Sequence, residues 1–378
     1  MKVTSNSDFI LGMMPTRLSN LEEAHRGLDS TNTALVGITK QGQFNILGTF
    51  DDPGIYWLFP KIANLLHTDV VFAARLSLAF AAVLAAIMFY YGCKKLCNSI
   101  FVLPVTLALF LLNLIKSDVY VFNFAAVALI PFSVAVLQQK SIYKWLIIFC
   151  CVFYAAYLNQ FRSHAGTVYF IFIVVYSAFY LKPLFKKSQI PFFILIAILI
   201  SNLHFKYLSE ERNTYLEANS NLMVDNQIGH PFWHSTYIGL GFIDNKYGIS
   251  YDDNVAKNLV EKEHPGVQFC GKVYEACLKE HYFQILKSDF LFIAKVYIYK
   301  ALWVLILLSL LLNVTTLKLW KYAFQETLFW PFALSIFFAS MPAILVMPRI
   351  NYLNTVIALG LFWFLFLLAL EKNQNTIT

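Results

Sequence analysis

Residues 70–93 read VVFAARLSLAFAAVLAAIMFYYGC, an apolar run interrupted only by Arg75 and followed by two lysines. A run of this length is typical of a membrane-spanning helix, because about 20 apolar residues cross the hydrocarbon core of a bilayer. Further apolar segments are Ser99–Ile115, Val119–Leu137, Trp145–Leu158, Ala165–Leu181, Ile190–His204, Leu302–Leu317, Leu328–Met347 and Tyr352–Leu370. The sequence therefore predicts an all-α polytopic membrane protein with about nine transmembrane helices.

The composition supports this class of protein. The 378 residues are 58% hydrophobic and only 13% charged, whereas soluble domains carry about 25% charged residues. The net charge of +7 is explained by lysines at the cytoplasmic ends of spans and does not indicate nucleic-acid binding. Zinc-ligand spacing, a phosphate-binding loop, a dinucleotide fingerprint and internal repeats are all missing from the sequence.

The distribution of basic residues predicts the orientation in the membrane. Alternating spans divide the connections into two sets, and one set contains Lys94, Lys95, Lys140, Lys144, Lys182, Lys186, Lys187, Lys318, Lys321 and Lys372. The opposite set contains Lys116, Arg162 and Arg349. Because cytoplasmic loops are enriched in lysine and arginine, the first set is predicted to be cytoplasmic.

This orientation gives four predicted regions. Residues 1–69 form an exported N-terminal segment and residues 70–204 contain the first six spans. Residues 205–288 form one large outward loop, and residues 289–378 contain the last three spans. An exported segment normally follows a signal or an earlier span, but residues 8–15 offer only the short apolar run ILGMM. We therefore expect a first transmembrane span to be missing from this chain.

Two acidic pairs precede the first apolar run. Ser19 and Glu22 have capping-box spacing, which predicts the start of a helix at Ser19. On that helix Glu22 shares one face with His25, Arg26 and Asp29. This face is either an ordinary solvated surface or a set of catalytic carboxylates close to the bilayer.

The second acidic pair is Asp51 and Asp52. Asp52 is predicted to cap a helix that has Pro53 at its first position, which leaves Asp51 to face a cavity. The apolar residues that follow predict a helix lying in the membrane interface, with a kink at Pro60.

The order of three motifs resembles the GT-C fold glycosyltransferases, in particular the bacterial branch of protein mannosyltransferases and the lipid A aminoarabinose transferase. The motifs are EEAH (22–25), FDDPGIYWLFPKIANLL (50–66) and AARLSLAFAAVLAAIMFYYG (73–92). The late segment MPRINYLNTVIALGLF (347–362) and Asn159–Arg162 are also similar to positions in that family. This chain departs from the family pattern in having Glu22 for an aspartate, Gly54 for the second proline, and no first span.

The resemblance implies sugar transfer from a polyprenyl-phosphate donor to a periplasmic glycan, lipid or protein. The location it implies is the bacterial inner (plasma) membrane, with a multi-pass chain and a periplasmic active face. Such transfer needs a carboxylate to activate the acceptor and cations to stabilise the departing phosphate. The sequence identifies no cofactor, nucleic acid is not expected as a partner, and a divalent cation requirement is left open. The alternatives are an O-antigen ligase or polymerase-like enzyme, and a transporter or non-catalytic membrane protein.

The predicted site residues are drawn from the outward segments. The candidate catalytic residues are Glu22, Glu23 and Asp51, and the candidate donor-phosphate ligands are Arg75, Arg162 and Arg349. Arginine binds phosphate in a bidentate manner, although each of these arginines is also explained as an interface anchor. We expect a glutamate, Asp51 and one arginine to converge within about 10 Å, the length of one sugar.

The outward loop contains GHPFWHSTYIGLGFIDNKYGISYDD at residues 229–253. His230 and His234 have no obvious third ligand, so no metal site is predicted there. Together with Tyr237 they are candidates for a lid or an acceptor-binding surface, and structural packing is the alternative. Cys270 and Cys277 lie in the same exported loop, and we predict that they form a disulfide.

Overall fold

The computed structural model describes residues 13–48, 52–115, 118–181, 184–220, 222, 231–312 and 328–375. The helices in these ranges are α1 (Pro15–Thr31), α2 (Pro53–Leu66), α3 (Val70–Cys97), α4 (Val102–Ile115), α5 (Val121–Leu137), α6 (Lys144–Phe161), α7 (Ala165–Tyr180), α8 (Leu184–Asn219), α9 (Phe232–Gly239), α10 (Asp253–Glu263), α11 (Lys272–Ser288), α12 (Phe290–Leu312), α13 (Phe329–Leu345) and α14 (Ile350–Asn375). Two short strands, β1 (Val36–Ile38) and β2 (Phe44–Ile46), pair antiparallel with Val36 opposite Ile46.

The helices confirm an all-α polytopic membrane protein. Within the described residues, 6 helices are long and apolar enough to cross a membrane: α3, α5 with its preceding turn, α6, α8, α12 and α14. Shorter apolar helices occur as α4, α7 and α13. Each apolar segment predicted from the sequence therefore corresponds to a helix.

Two helices extend beyond their predicted spans. Helix α8 continues past His204 to Asn219, and α12 begins at Phe290 instead of Leu302. In α8, backbone hydrogen bonding continues beyond the apolar segment through polar residues that favour helix. The added residues of α12 are mostly apolar and belong to the candidate span Phe290–Leu311. In α12, the buried Lys300 donates to the carbonyl oxygens of Leu345 (3.4 Å) and Val346 (2.8 Å) at the end of α13. Lys300 therefore lies level with the end of the apolar bundle.

Helix α5 is the centre of the bundle. In the apolar stretch of 18 residues within Asp118–Leu137, 89% of the residues are buried inside the protein. Helix α3 packs closely against it, because a Cβ atom on Gly92 would lie only 2.3 Å from the backbone of Pro131. Small residues at such contacts allow membrane helices to approach and gain van der Waals contact.

Helix α1 begins earlier than predicted. Its first residue is Pro15, and Met14 occupies the N-cap position without a side-chain hydrogen bond. The capping box at Ser19 is therefore wrong: proline fixes φ at a value suited to the first turn, so the helix starts upstream. Glu22 lies inside the helix and forms ion pairs with Arg26 and Lys40, each at 3.7 Å.

The segment between α8 and α12, predicted as the outward loop, contains a separate hydrophobic cluster. Residues of α9, α10 and α11 pack together, including Ile238, Val260 and Leu278. The predicted disulfide is wrong, since no bond joins Cys270 and Cys277.

The two ends of the bundle differ in their charged residues. At one end of the bundle, Arg162 directly follows the last residue of α6, and Arg349 directly precedes the first residue of α14. This end is called the arginine end. At the opposite end, called the lysine end, Lys144 donates to the carbonyl of Gln139, whose side chain bonds Tyr91.

The N-terminal segment and the end of α8 lie together at the arginine end. The guanidinium of Arg212 donates to the carbonyl of Leu47 at 2.6 Å, and Phe44 packs edge-on against Tyr215. These contacts place residues 44–47 and 212–215 at one end of the bundle, and residues 1–69 and 205–288 are predicted to share one side of the membrane.

Cysteine labelling tests which side that is. In a cysteine-free background, cysteines replacing Ser19 and Asn219, both exposed, should react with an impermeant thiol reagent in intact spheroplasts. A cysteine replacing Ser141 at the lysine end is the control and should react only after lysis. Labelling of Ser141 alone in intact spheroplasts would reverse the orientation inferred from the lysines.

Candidate functional site

A buried carboxylate lies at the centre of the arginine end. Asp52 is 1% exposed, and its Oδ2 lies 3.1 Å from Arg17 Nη2 and 3.7 Å from Arg162 Nη1. The backbone N–H of Ser163 donates to Asp52 Oδ1 at 3.3 Å. A buried carboxylate is stable only with such partners, so these contacts fix Asp52 between α1 and the end of α6.

The local sequence explains how Asp52 reaches this position. Pro53 starts α2 as predicted, but the Asp52 side chain makes no capping hydrogen bond. The predicted capping role of Asp52 is therefore wrong, because its side chain pairs with arginines instead. Gly54 permits the approach, since a Cβ atom there would lie 2.9 Å from the Gln160 carbonyl oxygen and 3.0 Å from the Phe161 ring. A second proline at this position would collide with α6.

Arg17 joins Asp52 to a second buried carboxylate. Its Nη1 atom donates to Asp118 Oδ2, while its Nη2 atom contacts Asp52. Asp118 lies in a single 3₁₀ turn before α5 and is also buried. Burial works against the charged form of Arg17, but the carboxylates of Asp118 and Asp52 outweigh it and raise the pKa of the guanidinium.

Three tyrosines connect Arg162 to Arg349. The guanidinium of Arg162 lies 4.7 Å from the centroid of the Tyr120 ring, which packs edge-on against Tyr352 at 6.1 Å. The hydroxyl of Tyr352 is 3.2 Å from that of Tyr251, and Arg349 stacks on Tyr251 at 4.3 Å. Burial raises the pKa of Tyr251, so this hydroxyl is neutral and can both donate and accept.

The charges of this site do not cancel. Arg17 and Arg162 balance Asp52 and Asp118, whereas Arg349 adds one positive charge. Among the residues that the structure describes, no carboxylate forms an ion pair with Arg349. Arg349 is exposed. The site therefore presents one accessible guanidinium beside two arginines and two aspartates whose charges balance. This arrangement suits an anionic ligand.

Searches for related proteins found no matching family, no similar curated protein and no similar solved structure. The resemblance to GT-C glycosyltransferases therefore remains a hypothesis that depends on the motifs and the geometry of the site.

The two predicted glutamates contact other parts of the N-terminal segment. Glu22 pairs with Arg26 and Lys40, and Glu23 accepts a hydrogen bond from the Asn45 side chain at 2.7 Å. The structure thus directs both glutamates toward the hairpin and the surface of α1. The predicted convergence with arginines is made by Asp52 instead.

The other predicted site residues are divided between three places. Asp51 and His230 lie outside the described residues. Arg162 and Arg349 are part of the site at the arginine end, whereas Arg75 is partly buried in α3.

His234 and Tyr237 contact other parts of the segment between α8 and α12. The buried His234 ring contacts the Tyr274 hydroxyl through Nδ1 (2.8 Å) and Asp253 Oδ1 through Nε2 (3.1 Å). The hydrogen bond between His234 and Asp253 lowers the pKa of Asp253. Burial, together with the nearby Cys277, raises the pKa of Tyr237 to about 12. These contacts favour structural packing for His234 and Tyr237, which was the alternative to a lid.

Sequence reasoning missed five residues of the site: Arg17, Asp118, Tyr120, Tyr251 and Tyr352. Asp118 had a usable signal, because it lies in the same set of connections as Arg162 and Arg349. Pro15 was a signal for Arg17, since a helix beginning at this proline includes Arg17 in its first turn. Tyr120 had no local signal, whereas Tyr251 and Tyr352 lie in the segments 229–253 and 347–362 that the sequence singled out.

Proposed function

We propose that this protein is an integral-membrane glycosyltransferase that moves a sugar from a polyprenyl-phosphate donor to an acceptor at the outer face of the bacterial inner membrane. The observation that carries the proposal is the pairing of buried Asp52 with Arg17 and Arg162, close to the exposed Arg349. This combination supplies a carboxylate for the acceptor and guanidinium groups for a phosphate.

The donor phosphate binds between Arg349 and Arg162 in this proposal. Arg349 is exposed and its guanidinium is held against Tyr251, so little side-chain freedom is lost on binding. The polyprenyl chain lies along the apolar helices, which leaves the phosphate at the end of the bundle. Tyr251 and Tyr352 provide hydroxyls and ring faces for the sugar.

Asp52 accepts the proton of the acceptor hydroxyl or amine. The acceptor atom bonds to the anomeric carbon, the bond from that carbon to the phosphate oxygen breaks, and the arginines stabilise the released phosphate. The contact of Asp52 with Arg162 (3.7 Å) is longer than that with Arg17 (3.1 Å). A phosphate at Arg162 competes with Asp52 for the guanidinium and makes the carboxylate more basic. Donor binding thereby activates the base.

Donor binding is the direct test of this function. We expect Arg349→Ala to weaken binding of a short-chain polyprenyl phosphate by roughly 10- to 150-fold. This range corresponds to the loss of about 1.5–3 kcal/mol from hydrogen bonds to a charged group. Equilibrium binding of fluorescent polyprenyl phosphate to the full chain in nanodiscs measures the change.

Arg26→Ala is the matched control, because Arg26 is also a partly exposed arginine but pairs with Glu22 on α1. Binding should be unchanged in this variant. Equal affinities of wild type and Arg349→Ala would contradict a phosphate site at Arg349.

A further inference from the structure

Three side chains of metal-ligand types meet in the outward loop, and none of them belongs to the candidate site at the arginine end. Glu263, Cys277 and His281 each present a ligand atom, and these atoms lie within 4.8 Å of one another. His281 Nε2 is 2.9 Å from Glu263 Oε1, and Cys277 Sγ is 3.5 Å from Glu263 Oε2. One carboxylate therefore contacts both a thiol and an imidazole.

These separations are close to those of a tetrahedral zinc site. Bonds of about 2.3 Å to sulfur and about 2.05 Å to oxygen or nitrogen place S and O about 3.6 Å apart, and N and O about 3.4 Å apart. The S–O separation of 3.5 Å already fits. His281 Nε2 lies 3.0 Å from the same oxygen, Glu263 Oε2. This separation must open by about 0.4 Å, which the side chain of Glu263, 43% exposed, can provide.

The fold holds the three ligands without strain. Cys277 and His281 are one helical turn apart on α11, so both side chains lie on one face. Glu263 is the last residue of α10, and the Tyr237 ring packs edge-on against His281. Cys277 is buried, whereas Glu263 is at the surface. The ligand set thus has one closed side and one side open to solvent.

We infer that Glu263, Cys277 and His281 bind a divalent transition-metal ion, with zinc the cation that this set of sulfur, nitrogen and oxygen ligands favours. The fourth position is open to water on the side of Glu263. Bound metal ties the end of α10 to α11. Because α10 begins two residues after Tyr251, the metal also steadies the loop that reaches the candidate site.

Metal content of the purified full chain tests the inference. After removal of metal by a chelator and dialysis against zinc, we expect one zinc per chain by elemental mass spectrometry. Cadmium should produce a thiolate charge-transfer band. Cys277→Ser, His281→Ala and Glu263→Gln should each weaken zinc binding at least about tenfold in competition with a chelating dye.

Cys270→Ser is the matched control, since Cys270 is a buried cysteine of the same loop outside the three ligands. It should retain both the zinc and the cadmium band. Zinc should raise the unfolding temperature of wild type and of Cys270→Ser but not that of His281→Ala. Zinc content well below one per chain, or equal binding by wild type and a folded Cys277→Ser/His281→Ala variant, would overturn the site.

Discussion

Asp52→Asn is expected to lower the rate of sugar transfer by at least about a hundredfold, the usual lower scale for loss of a general base. The side chain keeps nearly the same shape, so it can still accept the hydrogen bond from Ser163. It can no longer take a proton from the acceptor. Single-turnover transfer from a radiolabelled polyprenyl-phosphate sugar, measured with saturating donor, reports this step separately from donor binding.

Glu22→Gln and Glu23→Gln are the matched controls for Asp52→Asn. Both replace a carboxylate of the N-terminal segment by an amide, but their partners are Arg26, Lys40 and Asn45. Both should transfer sugar at close to the wild-type rate. A large loss of transfer rate in Glu22→Gln or Glu23→Gln, with normal transfer by Asp52→Asn, would indicate that the general base is a glutamate of α1.

Arg17→Ala is expected to reduce the free energy of unfolding by about 3–5 kcal/mol, because it leaves two buried carboxylates without their shared cation. The side chains of Asp52 and Asp118 are 1% and 9% exposed, so water cannot replace the guanidinium. The loss is measured from unfolding curves in mixed micelles, followed by tryptophan fluorescence.

A second substitution separates charge from packing. The double variant Arg17→Ala/Asp118→Asn also removes the charge of Asp118, which would otherwise lack its cation. We expect it to recover at least half of the unfolding free energy that Arg17→Ala loses. Lys40→Ala, which breaks an exposed ion pair with Glu22, should change stability by less than about 1 kcal/mol. If Arg17→Ala lowers the free energy of unfolding no more than Lys40→Ala does, Arg17 does not stabilise the buried carboxylates.

The membrane helices were predictable because hydropathy is a local property of the chain. Each apolar segment forms a helix, and Pro53 begins α2 as its position indicates. The end of α8 was less predictable, because this helix continues beyond its apolar segment. There the polar residues still favour helix, so composition changes without a change in backbone structure.

The site was only partly predictable, because its contacts join distant residues. Arg162 and Arg349 were found from charge placement alone. Arg17 pairs with Asp118 across 101 positions, and such a pair has no local signature. The motif containing Asp51 and Asp52 indicated the right segment, but helix-capping rules gave Asp52 a role that tertiary pairing overrides. Gly54 looked like a departure from a proline pattern, and its close contact with α6 explains the glycine.

The site is also assembled in a fixed order during synthesis. Arg17, Asp52, Asp118 and Arg162 all precede residue 163, so the ribosome delivers every member of the neutral charge set before half the chain is made. Arg349 and Tyr352 come last, at the start of α14. A nascent chain can thus neutralise its buried charges early, yet it gains the exposed guanidinium of Arg349 only when α14 enters the membrane. Under the proposed function, an unfinished chain therefore lacks the guanidinium that would bind the donor phosphate.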